Sequence, residues 1–213
     1  MSAIQQMLLA GAPAATAATW DPAYVSSPHS LANSNTRLIE ALNNSAISRT
    51  VPCTKGVSSG KWYWEVKWVD FLVGGGETTG VGIAESNFPF STKDLGSATV
   101  ATSSGGLWND GKFLLNGAAG VTIMTALALN DIVMYAHDVA GGKLYLGKNG
   151  TWSGSANPAA GTGAQITGLS TSSTYYPAAT PWSSSASHTV TLDILGATNS
   201  NYSPPTGFAL YSS

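Results

Sequence analysis

The eight residues from Lys61 to Trp68 constrain the fold of this chain more than any other segment. They read Lys-Trp-Tyr-Trp-Glu-Val-Lys-Trp and follow a Ser-Ser-Gly turn signal at 58–60. In a β-strand, successive side chains point to opposite faces. One face would then carry three tryptophans and a valine, and the other would carry two lysines, Tyr63 and Glu65. We expect the tryptophans to form core and Glu65 to be solvated, because three exposed indoles must be buried or bind a ligand.

Turn signals divide the rest of the chain into further short strands. Strands are expected over Ala46–Thr54, Thr79–Ala84, Leu107–Trp108, Phe113–Leu115, Asp131–His137, Lys143–Gly147, Tyr175–Ala178 and Val190–Leu195. One helical turn is expected over Leu38–Leu42. Asp110-Gly111 and Asn149-Gly150 are typical of tight hairpin turns. Many short strands, with a turn roughly every ten residues, predict an all-β antiparallel sandwich.

Composition excludes several classes of function. The chain has 213 residues, of which 9% are charged, and a net charge of −2. Such a surface has no electrostatic footprint for nucleic acid or an anionic membrane. Cys53 is the single cysteine, so an intramolecular disulfide and a multi-thiolate zinc site are both excluded. We expect no cofactor, no metal and no membrane insertion, since no apolar run approaches the ~20 residues of a membrane span.

The first 19 residues differ in amino-acid composition from the rest of the chain. Met1–Thr19 is apolar and Ala-rich but carries no basic residue, which argues against a signal peptide. We expect a short helix over Ala3–Ala10, followed by a flexible linker over Ala12–Thr19. The helix would present a small apolar stripe of Ile4, Met7 and Leu8. It is either an anchor to a larger assembly or a frayed tail. The domain prediction is therefore an arm at 1–19 and a sandwich at 20–213.

Seven motifs follow one another in an order that is known from one family. They are Ser59–Val66, Gly80–Ala84, Trp108–Lys112, Asn130–Val133, Gly142–Gly150, Tyr176–Ala178 and Pro204–Phe208. Together they resemble the SPRY domain over roughly Trp20 to Ser213, and the resemblance implies a bent β-sandwich of two antiparallel sheets. Asn130 stands where the family has Gly, and Leu192–Gly196 replaces its Asn-Phe-Gly strand ending. Both departures fall at strand ends.

Two stretches are similar to bacteriophage versions of the domain. Gly147–Trp152, followed by Asn157–Gly163, resembles a segment that recurs in phage virion proteins. Met1–Ala10 resembles the start of phage tail and accessory proteins. The resemblance implies a virion-surface protein made in the host cytoplasm, attached to other virion proteins through its N-terminal arm.

An enzymatic interpretation finds little support in the residues. No Gly-x-Ser-x-Gly elbow, His-Glu-x-x-His motif or P-loop occurs. His29, His137 and His188 are scattered along the chain, and we interpret them as structural. We considered whether Glu65 and Glu85 could form a glycosidase pair. The sequence favours the alternative that both are solvated or capping carboxylates. We expect the acidic residues at turns to stabilise the local backbone; these are Asp110, Asp131 and Asp138.

Binding is the chemistry that the resemblance implies, since SPRY domains are generally recognition modules whose loops form a surface at one end. Trp182 follows Tyr176–Ala178 at a position where family members with a peptide groove place a binding Trp. Glu85 and Ser86 would line the same end. Further loop aromatics that are candidates for ligand contact are Phe88, Phe90 and Trp152. For each candidate, packing under a loop is the alternative.

We therefore predict a non-enzymatic phage virion protein, displayed on a tail or head fibre, that binds a host-surface glycan or protein. The alternative is a purely structural capsid decoration, cement or tail accessory protein. A glycan-acting enzyme is a minor alternative. A homo-oligomer is expected, because symmetric multivalent display compensates for weak single-site affinity.

Overall fold

The computed structural model describes residues 14–41, 49–73, 79–97, 104–182 and 189–213. These ranges contain fifteen β-strands, one 3₁₀ turn at Pro22–Tyr24 and no α-helix. The prediction of an all-β fold is confirmed. The strands form two sheets that pack face to face around one main apolar core.

The first sheet has nine strands. In spatial order they are β1 (His29–Ala32), β2 (Arg37–Glu40), β14 (Val190–Leu195), β4 (Lys61–Asp70), β9 (Ile132–Asp138), β10 (Lys143–Lys148) and β11 (Thr151–Trp152), while β12 (Ile166–Thr167) pairs with β10 and β15 (Ala209–Leu210) pairs with β4. The second sheet has six strands. In order they are β3 (Val51–Pro52), β13 (Tyr175–Thr180), β5 (Gly80–Glu85), β6 (Ser104–Trp108), β7 (Lys112–Leu115) and β8 (Val121–Thr122). The pairing of β15 with β4 is parallel, and every other strand pairing among the described residues is antiparallel.

The tryptophan-rich strand lies in the middle of the first sheet, between β14 and β9. Trp64 and Trp68 are completely buried, and Trp62 at the strand start is half-buried. The Trp64 ring stacks on Tyr135 of β9, with 5.3 Å between ring centroids and 2° between planes. Offset aromatic stacking of this kind adds to the free energy gained from burial alone. The prediction that these tryptophans form the core is confirmed.

The opposite face of β4 is also buried, so the prediction of a solvated Glu65 is wrong. Residues 199–211 cross this face, and β15 pairs with the start of β4. The Glu65 carboxylate accepts hydrogen bonds of 2.8 Å from the backbone N–H of Asn201 and of Tyr202. The Tyr63 hydroxyl donates to it as well, at 2.8 Å. A carboxylate buried with three donors is satisfied, and it fastens the C-terminal segment to the sheet.

Two local predictions fail in the edge region. A helical turn was expected over Leu38–Leu42, but Arg37–Glu40 is strand β2, with Leu38 in the core. Pairing with β14 gives this segment its backbone partners and outweighs its local preference. The strand expected over Ala46–Thr54 is reduced to β3 and a bridge at Cys53; residues 46–48 lie outside the described residues.

The predicted turns and the central strand are confirmed. Asn149 and Gly150 have φ of 50° and 83°, as a tight hairpin turn requires. All seven residues of β9 are buried, as expected for an inner strand. The turn aspartates hold local backbone: the Asp110 carboxylate accepts from Lys112 N at 3.0 Å, and Asp138 accepts from Gly141 N at 2.9 Å.

The sandwich begins before Trp20, so the flexible linker prediction is wrong for its last residues. Ala18 is completely buried in the main core. Thr19 N donates to Ser213 Oγ at 2.8 Å, and Thr54 N donates to Thr19 O at 3.0 Å. Thr16 Oγ1 also donates to the carbonyl of Ser213. The proposed anchor residues Ile4, Met7 and Leu8 lie outside the described residues.

Candidate functional site

The pairing of β5 with β13 defines the two ends of the sandwich. Gly80 pairs with Thr180 at one end, and Glu85 pairs with Tyr175 at the other. Five residue steps along the strand separate these pairs, a distance of about 17 Å. Trp182 lies just beyond Thr180, so it sits at the opposite end from Glu85 and Ser86. The prediction that these three residues line one end is wrong, and we name the two ends the Trp182 end and the Glu85 end.

Hydrogen bonds between loops hold the Trp182 end together. Thr79 Oγ1 donates to the carbonyl of Trp182 at 3.1 Å, and Asn109 N donates to the carbonyl of Thr79 at 3.1 Å. Leu127 N donates to the carbonyl of Asn109 at 2.8 Å. The four residues come from four separate connections, and we call them the rim. The Trp182 side chain is half-buried on this rim.

Two ion pairs lie near the rim. Lys112 forms an ion pair of 2.5 Å with Asp110, and Lys148 lies 3.5 Å from Asp131. Asn149 Nδ2 also donates to Asp131, at 2.7 Å. Asp70, at the end of β4, accepts from Thr189 Oγ1 at 3.0 Å. The Trp182 end also exposes apolar side chains: Val73 is 54% exposed and Leu129 is 50% exposed.

Glu85 fastens strands and loops at the other end. It is buried, and its carboxylate accepts from the Tyr175 hydroxyl at 3.1 Å. That hydroxyl in turn accepts from Ser170 N at 2.9 Å. Ser86 is exposed, and its N–H donates to the carbonyl of Thr174 at 2.9 Å. Neighbouring loops are thus joined through one buried carboxylate, and Ser86 is the more accessible of the two candidates.

His137 lies between the sheets near the Glu85 end. It is completely buried, with its ring edge-to-face against Tyr175 at 5.1 Å. Within the described residues, neither ring nitrogen has a hydrogen-bond partner. Burial lowers the pKa of His137 to about 4, and the nearby Asp138 carboxylate opposes this shift. The ring is therefore neutral at pH 7 and packs as part of the core.

Phe88 and Phe90 belong to residues 86–97, a segment that crosses the outer face of the second sheet and that we call the strap. Their side chains pack between the strap and the sheet. Both are at most 5% exposed and belong to a small apolar cluster with Leu95. The Phe90 ring meets three aromatic rings edge-on, namely Tyr24 at 5.2 Å, Phe88 at 5.2 Å and Tyr176 at 6.2 Å. Their burial favours packing over direct ligand contact.

Trp152 lies away from the rim, on the outer face of the first sheet. It is half-buried and meets Tyr63 edge-on at 6.2 Å. Its ring lies over Gly147, where a Cβ would be 3.1 Å from the indole.

The structure brings Trp182 together with Thr79 and Asn109, which the sequence did not single out as site residues. Their contribution depends on contacts between distant loops, and no local pattern marks them.

Metal binding and membrane crossing find no support in the described residues. No group of three or more His, Cys, Asp or Glu side chains there is arranged to hold a metal ion. Likewise, no helix in the described ranges is long and apolar enough to span a membrane.

Comparison with solved structures identifies the fold. No family model matches the chain, and no curated protein does. The TRIM65 PSpry domain superposes with a TM-score of 0.59 at 14% identity, over 84% of this chain and 91% of that chain. The SPRY domain of human HERC1 gives a TM-score of 0.56 at 17% identity, over 86% and 99%. Stonustoxin gives 0.59 at 17% identity, over 84% of this chain and 27% of that larger chain. The chain has a SPRY-like β-sandwich fold.

Proposed function

We propose that this chain is a non-enzymatic recognition module that binds its ligand at the rim around Trp182. The observation that carries the proposal is a half-buried tryptophan on a rim fixed by hydrogen bonds, at an end that also exposes Val73 and Leu129. An aromatic ring beside short polar groups suits stacking and neutral hydrogen bonds. A fixed rim also loses little conformational freedom when it binds.

The finer proposal is display on a phage particle, with a host-surface glycan or protein as ligand. It rests on the resemblance of Gly147–Trp152 and Met1–Ala10 to phage proteins. The position of the chain ends supports it. Ser213 is held beside Thr19, near the start of β4, whereas the rim lies beyond the far end of that strand. If residues 1–13 attach to other virion proteins, the rim faces outward.

Weak single-site affinity would then be offset by several copies on one particle, which is why we propose a homo-oligomer on the virion surface. The rival role is a structural one, as decoration or cement, in which the rim has no ligand. Enzymatic turnover of a surface glycan is a third role.

Adsorption of particles to host cells tests the proposal. Trp182→Ala should reduce adsorption about tenfold or more, since such aromatic anchors carry much of the binding energy. Trp152→Ala is the matched control, because it removes a half-buried indole far from the rim. Equal adsorption of wild-type and Trp182→Ala particles would refute the rim as the binding site.

Deleting residues 1–13 tests the arm separately. The deletion stops there because Thr16–Thr19 are part of the sandwich. We expect the shortened protein to fold with an unchanged melting temperature and to be lost from purified particles. Retention on particles would rule out the arm as the anchor. Loss of resistance to heat or osmotic shock without loss of adsorption would favour the cement role, and turnover of a host glycan by purified protein would establish an enzyme.

A further inference from the structure

We propose that a surface patch formed by Tyr24, Ser26 and Arg49 binds an acidic saccharide, meaning a sugar ring that carries a carboxylate. The patch lies on the outer side of the second sheet. Arg49 borders the Trp182 end, because Thr50 Oγ1 lies 2.7 Å from Thr180 Oγ1, whereas Tyr24 rests on Phe90 of the strap. The proposal does not depend on ligand binding at Trp182.

Tyr24 supplies a fixed and accessible aromatic ring. At 39% exposure, it is the one exposed aromatic side chain among the residues that the structure describes. Two features hold it in place. It ends the 3₁₀ turn Pro22–Tyr24, whose Ala23 N–H is capped by the Asp21 carboxylate at 2.9 Å. Its ring also meets Phe90 edge-on at 5.2 Å. A rigid exposed ring of this kind is a stacking platform for the C–H face of a sugar.

Arg49 supplies a cation that no carboxylate of the described residues neutralises by an ion pair. Its Nη1 donates to Ser26 Oγ and to the carbonyl of Ser27 at 3.3 Å, and it forms no ion pair with a carboxylate in the described part of the chain. Arg37 makes the contrast clear, because its guanidinium is bound to both oxygens of Asp193, at 2.6 and 2.7 Å. The planar fork of an arginine matches a carboxylate in geometry and charge. A carboxylate on the ligand could therefore form a bidentate ion pair with the Arg49 guanidinium.

Two links bring the ring and the cation onto one patch. Ser26, which accepts from Arg49, follows Tyr24 by two residues. Thr50, the residue after Arg49, donates its N–H to the carbonyl of Phe90 at 2.8 Å, and Phe90 is the ring on which Tyr24 rests. Tyr24 and Arg49 are therefore held near each other, because Tyr24 and Thr50 both contact Phe90 of the strap.

The charge of Arg49 is also felt by the neighbouring His29. Burial lowers the pKa of His29, its hydrogen bond to the carbonyl of Pro181 opposes the shift, and Arg49 lowers the pKa further. Two carboxylates lie in this region as well: Asp21 caps Ala23 N–H, and the buried Glu40 faces His29 across β1 and β2. The Arg49 guanidinium beside an exposed aromatic ring favours an anionic ring-shaped ligand over a neutral one. A flexible acidic peptide would satisfy Arg49 but would give Tyr24 no flat surface to cover.

Calorimetric titration of the full chain with trigalacturonic acid tests the proposal. Neutral galactotriose and triglutamate are the comparison ligands. We expect trigalacturonic acid to bind with a dissociation constant in the millimolar range or below, and binding to weaken with added salt. Arg49→Gln and Tyr24→Ala should each weaken it by about tenfold or more, and Tyr24→Phe should retain it.

Controls separate this site from the rim and from loss of folding. Arg37→Gln removes a cation elsewhere on the surface and should bind like wild type. The melting temperature of each variant shows that it is folded. Equal affinity for galactotriose, equal affinity for triglutamate, or no binding of trigalacturonic acid would each overturn the proposal. Loss of binding in Trp182→Ala alone would assign the sugar to the rim instead.

Discussion

His137 should make this protein lose stability as the pH falls from 6.5 to 4. The pKa of His137 in the folded protein is about 4, because the ring is buried, whereas a histidine in the unfolded chain has the ordinary pKa of 6.5. Above pH 6.5 both states are neutral and the histidine has no pH-dependent effect. Between pH 6.5 and pH 4, His137 binds a proton in the unfolded state but stays neutral in the folded state. Unfolding therefore becomes more favourable as the pH falls. Below pH 4 both states are protonated and the effect levels off.

The size of this effect follows from the pKa difference. At about 1.4 kcal/mol per pKa unit, the difference between 6.5 and about 4 corresponds to a loss of about 3 kcal/mol. That is a large fraction of the 5–15 kcal/mol typical of a domain, by the usual order of magnitude. His137→Leu should abolish this part of the pH dependence. At pH 8 it should not lower stability much, because it also removes two buried nitrogens that lack partners among the described residues.

Urea unfolding followed by tryptophan fluorescence measures both effects. Unfolding free energies of wild type and His137→Leu should be compared at pH 8, 6.5, 5.5 and 4.5. Carboxylates titrate in this range in both proteins, so the difference between the two curves isolates the histidine. If both proteins lose the same free energy between pH 8 and pH 4.5, the argument from burial is refuted.

Three further predictions concern packing and can be checked by urea unfolding or solubility. Glu65→Ala leaves the buried Tyr63 hydroxyl and the partly exposed N–H groups of Asn201 and Tyr202 without their acceptor, so it should lower the free energy of unfolding by about 1–3 kcal/mol, with earlier proteolysis of residues 199–213; unchanged proteolysis would contradict this. Gly82→Ala would put a Cβ 2.0 Å from the carbonyl oxygen of Gly105, so it should yield insoluble protein, whereas Gly154→Ala meets no neighbour within 4 Å and should stay soluble at a cost of about 1–2 kcal/mol from its positive φ of 60°. Phe90→Leu removes three edge-on ring contacts and should destabilise by about 1–3 kcal/mol, with a smaller effect from Tyr24→Leu, which removes one.

Local patterns predicted the parts of the fold that local physics decides. The alternation in Lys61–Trp68 and the Asn149-Gly150 turn both follow from the conformations open to a few neighbouring residues. The order of motifs that resembles SPRY then indicated how such strands pair. The two-sheet sandwich could be predicted for these reasons.

Contacts between distant segments decided the rest. Period-2 alternation gives Glu65 a face but does not say what covers that face, and residues 199–211 cover it. Leu38 became part of a strand because β14, more than 150 residues away, offered hydrogen bonds. Trp182 and Glu85 were assigned to one end because sequence order does not give the direction of pairing between β5 and β13. The Tyr24–Arg49 patch was missed for the same reason, since Phe90 joins the two.

The clamp between Thr19 and Ser213 has a consequence for how this sandwich can be combined with other proteins. Residues 19 and 213 lie side by side on the sandwich, with Ser213 Oγ 2.8 Å from Thr19 N. Such a domain can be spliced into an exposed loop of a host protein without stretching either one. A short linker between residues 213 and 16 would equally close the chain into a ring, which could be reopened in a loop at the Glu85 end. New junctions made in this way would leave the rim and the Tyr24–Arg49 patch intact on a differently connected molecule.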